Sequence, residues 1–242
     1  MSKAHLIPTK RHPEFHRRPP YSPKHLFDNV PTLFAAIGVV AVLAVLAAYD
    51  DGSTLLAVDE PIMEWVVDSR TPVWTDFFNA ASRLGDNLVV FPIGVVLAAL
   101  TWQRCRVLAL ALVFAAAFRP GFEFVIKELV GRVRPDIAPL AEFMGPSHPS
   151  GHPLAAVSVW GLLPPIVALF GGSRRIWWLT TSAVSAVVVL VAAARVYRGA
   201  HWPTDVVASV IWGALFLLVV ELIYDHVHDL RDEREATEAA VS

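Results

Sequence analysis

A single cysteine in 242 residues, Cys105, leaves the chain without an intrachain disulfide or a cysteine-based zinc site. Charge is also scarce: 17% of residues are charged, where a soluble domain carries about a quarter. Together with 55% hydrophobic residues and a mean hydropathy of +0.51, this excludes an ordinary soluble domain and points to a membrane protein. The chain has no glycine-rich nucleotide loop and no internal repeat, and nothing in it calls for a nucleic-acid partner. The formal net charge of −2 identifies no partner either, because the charge is unevenly placed.

What is abundant is long apolar runs. A helix needs about 20 apolar residues to cross a bilayer. Six segments qualify: about 31–49, 87–103, 107–126, 153–171, 176–194 and 205–224. Backbone groups cannot stay unpaired in lipid, and the runs are too long and too little alternating for barrel strands. The expected fold is all-α, an integral membrane bundle of six transmembrane helices. Residues 1–30, basic and proline-rich, read as a disordered or surface-lying arm. Residues 31–224 form the membrane domain, and residues 225–242 form a polar tail, a solvated helix end. The run at 31–49 exceeds the usual apolar core of a cleaved signal peptide, so it reads as an uncleaved helix. His226 and His228 on the tail are too few for a metal site.

Lysine and arginine placement sets the orientation. The N-terminal arm carries Lys3, Lys10, Arg11, Arg17, Arg18 and Lys24, and the links after the second and fourth spans carry Arg104, Arg106, Arg174 and Arg175. Residues 50–86 hold eight acidic residues against Arg70 and Arg83. Both termini are therefore expected in the cytoplasm of a multi-pass cell (inner, cytoplasmic) membrane protein, with 50–86 outside. Trp65, Trp74, Phe77 and Phe78 suggest a short extracytoplasmic interfacial helix there. Two outward loops break the charge rule: 127–152 carries Lys127, Arg132 and Arg134, and 195–204 carries Arg195 and Arg198. An anionic ligand on the outer face supplies a reason.

The chemistry concentrates in these two loops. In "KELVGRVRP" (Lys127 to Pro135) one lysine and two arginines provide donors for phosphate oxygens. In "HPSGHP" (His148 to Pro153) Ser150 suits an N-cap, Pro153 a first helical turn, and Gly151 a close backbone approach. A helix N-terminus there would attract phosphate, and His152 beside it can exchange a proton near neutral pH. In "ARVYRGAHWPTDV" (Ala194 to Val206) Arg195 adds a cation, while His201 and Asp205 stand four apart on one helical face. A carboxylate beside an imidazole fixes its tautomer and leaves the other nitrogen to attack phosphorus.

Lys127-x6-Arg134-Pro135, then Pro149-Ser150-Gly151-His152, then Arg195-x5-His201-x3-Asp205 resembles the three-part signature of the type 2 phosphatidic acid phosphatase (lipid phosphate phosphatase) superfamily. The resemblance covers roughly residues 60–220. It implies that Lys127, Arg134 and Arg195 clamp a phosphate with the Ser150 hydroxyl and the Gly151 N–H. It implies His201 as nucleophile forming a phosphohistidine, Asp205 as its orienting partner, and His152 as general acid and then base. No metal or cofactor is expected, since the cations meet the charge a metal would otherwise balance. The expected partners are a lipid phosphate and the bilayer. The family usually has serine where Ala194 stands, and Pro153 after the histidine is also unusual. Arg198 is an extra cation that could recognise a second phosphate, and Arg132 is another accessory candidate.

Arg119, Glu123 and Lys127, spaced by four, stripe one face of the third span beside Pro120 and Gly121. Such buried charges usually pair inside the bundle. The sequence leaves two readings: an Arg119–Glu123 brace of a kinked helix, or a polar cleft below the phosphate site. Three functions fit the motifs: hydrolysis of a phosphomonoester or diphosphate of a lipid, phosphotransfer to another acceptor, or transport or binding of anionic lipids without turnover. The last draws on helix breaks at Pro120 and at Pro164-Pro165. The lipid itself (phosphatidic acid, phosphatidylglycerophosphate, a polyprenyl phosphate or diphosphate, or a phosphorylated glycolipid) and the oligomeric state are not encoded legibly.

Overall fold

The helices of this chain owe their boundaries to local chemistry. In the computed structural model, which describes residues 30–49 and 53–241, Thr71 caps α3 (Pro72–Ser82) by accepting from the Trp74 N–H, with Pro72 in the first turn. A 3₁₀ turn over Arg83–Gly85 follows, and Asp86 caps α4 (Asn87–Thr101) through the Leu88 N–H at 2.9 Å. Ahead of these lie α1 (Val30–Tyr49) and α2 (Ser53–Asp68). Next comes α5 (Arg106–Val113), joined through a π-helical turn at Phe114–Phe118 to α6 (Arg119–Val130). Gly131 ends α6 in the left-handed region at φ +65°, its N–H returning to the Lys127 carbonyl at 2.8 Å. Then follow α7 (Gly151–Trp160), α8 (Leu163–Leu169), α9 (Arg174–Tyr197) and α10 (Pro203–Val241). The basic arm expected over 1–30 lies outside the described residues, except for Val30.

All regular structure among the described residues is helical. Five helical segments are long and apolar enough to cross a membrane: Pro72–Thr101, Arg106–Val130, Gly151–Leu169, Arg174–Tyr197 and Pro203–Ala239. A shorter apolar helix covers Ile37–Ala48. The chain is thus a multi-pass membrane protein, with five such segments and one shorter helix where six full spans were expected. The 50–86 segment also differs from the single interfacial helix expected. Its described part forms α2 and α3, and the second span begins at Pro72, because α3, the 3₁₀ turn and α4 follow one another as one apolar stretch. The tail expected from 225 stays helical to Val241. At ~1.5 Å per residue α10 is about 58 Å long, more than a ~30 Å hydrocarbon layer needs.

α7 is the central element: every residue from Pro153 to Val159 is buried. It packs closely on α10, where a Cβ at Gly213 would collide with Val157 and one at Gly161 with Leu217. Small residues are the usual means of close helix approach in lipid, where no hydrophobic force drives helices together. Leu112, Leu162 and Val220 fill the core beneath. At the other end of α7, Gly85 lies so near that a Cβ there would meet the His152 carbonyl and Val191. The 3₁₀ turn is thereby pressed onto the helix that carries the site.

Candidate active site

Three chain segments meet around the start of α7: the end of α6 with the 131–150 loop, the end of α9, and the start of α10. Ser150 occupies the N-cap position of α7, yet its hydroxyl makes no capping bond. Its backbone N–H donates instead to Ser209 Oγ at 2.7 Å, and its own Oγ is buried without a partner. Most buried hydroxyls in folded proteins have a hydrogen-bond partner, so this one is an exception.

The cations gather here as the sequence suggested, but each is engaged with the protein. Lys127 Nζ donates to the Pro146 carbonyl at 3.1 Å and pairs with Glu123 at 3.5 Å. Arg134 donates to the carbonyls of Gly145 (2.9 Å), Met144 (3.0 Å) and Ala200 (2.5 Å). Arg195 and Arg198 both donate to Ser82 Oγ, at 3.1 and 3.2 Å, while the Nε of each is buried without a partner. Phe143 sits among three guanidinium groups, with Arg134, Arg195 and Arg198 carbons 5.7, 5.4 and 5.6 Å from its ring centre. His152, the second residue of α7, makes no side-chain hydrogen bond to the described residues.

His201 is buried, and its Nδ1 lies 2.6 Å from the Ser147 carbonyl. A carbonyl only accepts, so Nδ1 carries the hydrogen and Nε2 presents its lone pair. That nitrogen faces Arg134 Nη1 at 3.3 Å. Burial pushes the His201 pKa well below its ordinary value, and the charges of Arg195, Lys127 and Arg134 push it the same way, against the Ser147 bond. The ring is therefore neutral at pH 7.

Asp205 makes no hydrogen bond to His201, although their spacing suggested one. Its carboxylate accepts from Arg132 Nη1 (2.7 Å), His148 Nδ1 (3.2 Å), the Trp202 N–H (3.1 Å) and the Ser147 hydroxyl. The start of α10 turns the two side chains to different neighbours, and the link between them runs through Ser147, whose hydroxyl meets Asp205 and whose carbonyl holds His201. Arg132, an accessory phosphate candidate in the sequence, is committed elsewhere: it bridges Asp205 and Asp59, each at 2.7 Å, and donates to Thr204 at 2.8 Å. Asp59 also accepts from the Thr204 N–H and hydroxyl.

Arg119 is buried and donates to Glu123 (2.8 Å), to the Gly151 carbonyl (3.3 Å) and to Asn87 Oδ1. The bracing pair is present. The cleft beside it, about 670 Å³, is apolar where the alternative reading had it polar: Leu110, Phe114, Leu215, Phe216 and Val219 line it, with Arg119 and Ser158 its polar lining residues.

Asp59, Ser82, Phe143, Ser147 and His148 belong to this site and were not singled out from the sequence. Ser82 bears on the alanine at 194: that residue is fully buried against its neighbours, and the hydroxyl beside Arg195 comes from α3 instead. No local pattern marks Ser82 or Asp59, which reach the site only through the fold.

The PAP2 superfamily model matches residues 108–228, half of the chain. Phosphatidylglycerophosphatase B of Bacillus subtilis (strain 168) is 27% identical over 200 residues, covering 78% of this chain and 94% of that protein. The crystal structure of a transmembrane PAP2 type phosphatidylglycerolphosphate phosphatase from Bacillus subtilis aligns with a TM-score of 0.72 at 25% identity, over 81% of this chain and 96% of that one. Aquifex aeolicus LpxE shares the fold with a TM-score of 0.54 at 20% identity, over 67% of this chain and 94% of that one. With the motif residues gathered at one end of a membrane-spanning helical bundle, the chain belongs to the PAP2 superfamily and is a membrane phosphatase.

Proposed function

We propose that this chain removes phosphate from a lipid phosphomonoester or diphosphate at the extracytoplasmic face, through a phosphohistidine formed on His201. The observation that carries this reading is the neutral, Nδ1-protonated His201, whose Nε2 faces Arg134 in a site also bounded by Lys127 and Arg195. The lipid class is supported by the Bacillus subtilis relative, whose name specifies phosphatidylglycerophosphate, and the outer face by the surplus of lysine and arginine on the opposite links.

In this mechanism the phosphate takes over donors of Lys127, Arg134 and Arg195 and the free Ser150 hydroxyl. Moving Arg134 from His201 Nε2 exposes the lone pair. Nε2 attacks phosphorus, the P–O bond to the lipid breaks, and His152, which takes up a proton once the bound phosphate offsets the surrounding cations, gives that proton to the leaving oxygen. His152 then takes a proton from water as that water attacks phosphorus, the P–N bond breaks, and inorganic phosphate leaves. The fixed cations stabilise the added charge of each transition state.

The test is phosphate release by purified protein in EDTA from a panel of mono- and diphosphate lipids of short and long chain. Turnover of ³²P-labelled substrate quenched in alkali should leave label on the protein that is stable to base and lost in acid. Release that stops in EDTA and returns with a divalent cation, or label absent from the protein during turnover, would remove this mechanism.

The state of His201 gives a second expectation. Its folded pKa is depressed, so the neutral ring persists as pH falls through ~6.5, where a free histidine protonates. The unfolded chain gains a proton there that the folded chain does not, so this residue's linkage makes the fold less stable as pH drops below ~6.5. Histidine-selective ¹⁵N NMR of protein in detergent should show a ring that stays neutral as pH falls below ~6.5 and that is missing from His201→Gln.

A further inference from the structure

Glu123 stands in an unexpected place for a carboxylate in a phosphate site. Its two oxygens lie against the Cα of Gly151, where an added Cβ would collide with both. One oxygen accepts from Arg119 at 2.8 Å and the other pairs with Lys127 at 3.5 Å. Its charge also acts on Arg134 and Arg195. Around it, Ser150 Oγ and Arg195 Nε are buried without partners. The carboxylate therefore sits at the head of α7, on the glycine that a phosphate would approach and on a cation that would bind it.

We propose that Glu123 is the resident anion of this site before substrate binds: its carboxylate holds the place and the Lys127 partnership that the substrate phosphate takes over, and so it sets the affinity for phosphate. This rests on the reading of Lys127, Arg195 and Ser150 as the phosphate site. Without substrate, the clustered cations repel one another in a poorly hydrated pocket, and an internal carboxylate offsets that repulsion. An incoming phosphate carries more negative charge and more acceptor oxygens, so it displaces the carboxylate from Lys127 and Gly151. Arg119, one turn back on α6, gives the displaced group somewhere to remain paired. Its own bonds to Asn87 and the Gly151 carbonyl keep it in place. Gly151 thus serves two anions in turn, and a side chain at that position would exclude both.

A residue that only braces Arg119 would, when neutralised, loosen the site and weaken anion binding. A competing anion does the opposite. Isothermal titration of purified protein in detergent with inorganic phosphate and with orthovanadate separates the two without needing turnover. Glu123→Gln, which keeps the shape and one acceptor for Arg119, should bind both anions about tenfold more tightly, ~1.4 kcal/mol. KM for a short-chain lipid phosphate should fall in parallel, with KM carrying most of the change in kcat/KM. If Glu123→Gln yields no folded protein, Glu123→Asp carries the test. It keeps the charge on Arg119 but ends one methylene short of Gly151, and should tighten phosphate about threefold. Binding to a folded variant that is unchanged or weaker overturns the proposal, even where the wild type binds and turns over substrate. A wild type that neither binds phosphate nor releases it from lipids would instead remove the phosphatase reading beneath.

Discussion

His201→Ala is expected to abolish phosphate release while leaving the bundle folded, with kcat lowered on the order of 10⁴-fold or more. The argument is that no neighbouring group can replace it. The other histidine in reach of the loops, His148, is buried with its Nδ1 on Asp205, and the proposed mechanism uses His152 for the leaving group. The structural cost is small, because His201 gives the fold one strong hydrogen bond, to the Ser147 carbonyl, and a weaker contact with Arg134. Losing one such bond costs about 1 kcal/mol. The variant should therefore unfold within a few degrees of the wild type and still bind inorganic phosphate, but incorporate no label from ³²P-lipid. Turnover within tenfold of the wild type would take the nucleophile's role from His201.

Asp205→Ala is expected to act first on stability. This carboxylate is fully buried and accepts from four donors, three of them on the 131–150 loop. Its removal leaves Arg132 paired with Asp59 alone, and breaking a buried ion pair from one side costs about 3–5 kcal/mol. It also frees Ser147, and with it the carbonyl that fixes the His201 tautomer. Activity should fall by about 10²-fold or more through that loosening, since a misplaced reacting group costs on this scale. Thermal unfolding in detergent and kcat should thus fall together. Asp205→Asn, which keeps an acceptor for Ser147 or Arg132, should recover part of the stability. A variant at 205 with wild-type melting and no activity would instead indicate a direct role on the imidazole.

The helical class, the membrane placement and the residues that gather at the head of α7 were legible in the sequence because each has a local signature. Apolar length gave the spans, and Lys127, Arg134, Ser150, His152, Arg195 and His201 stand at spacings that a chemical task explains. The partners of Asp205 were not legible. Four-residue spacing puts it on the same face as His201, but the turn at Trp202–Pro203 precedes the regular helix, and the loop supplies donors that outcompete the imidazole. Arg132 looked like an accessory phosphate cation because nothing local announces that Asp59, far away in the chain, claims it. Ser82 was hidden for the same reason: a serine at the end of an aromatic-rich helix has no pattern until α3 is packed on α9. The start of the second span was misplaced because apolar length alone does not reveal that α3 and α4 continue one another across Asp86.

The network of Asp59, Arg132, Thr204 and Asp205 has a consequence for how the protein is made. Asp59 is synthesised 145 residues before Thr204 and Arg132 is synthesised 73 before Asp205. Until the last helix emerges from the ribosome and enters the bilayer, the early carboxylate and guanidinium have each other but not the partners that complete them. The site is consequently closed by the final insertion event, and a nascent chain stalled before residue 201 holds Lys127 of α6 and Arg195 of α9 without His201 or Asp205 to complete the cluster.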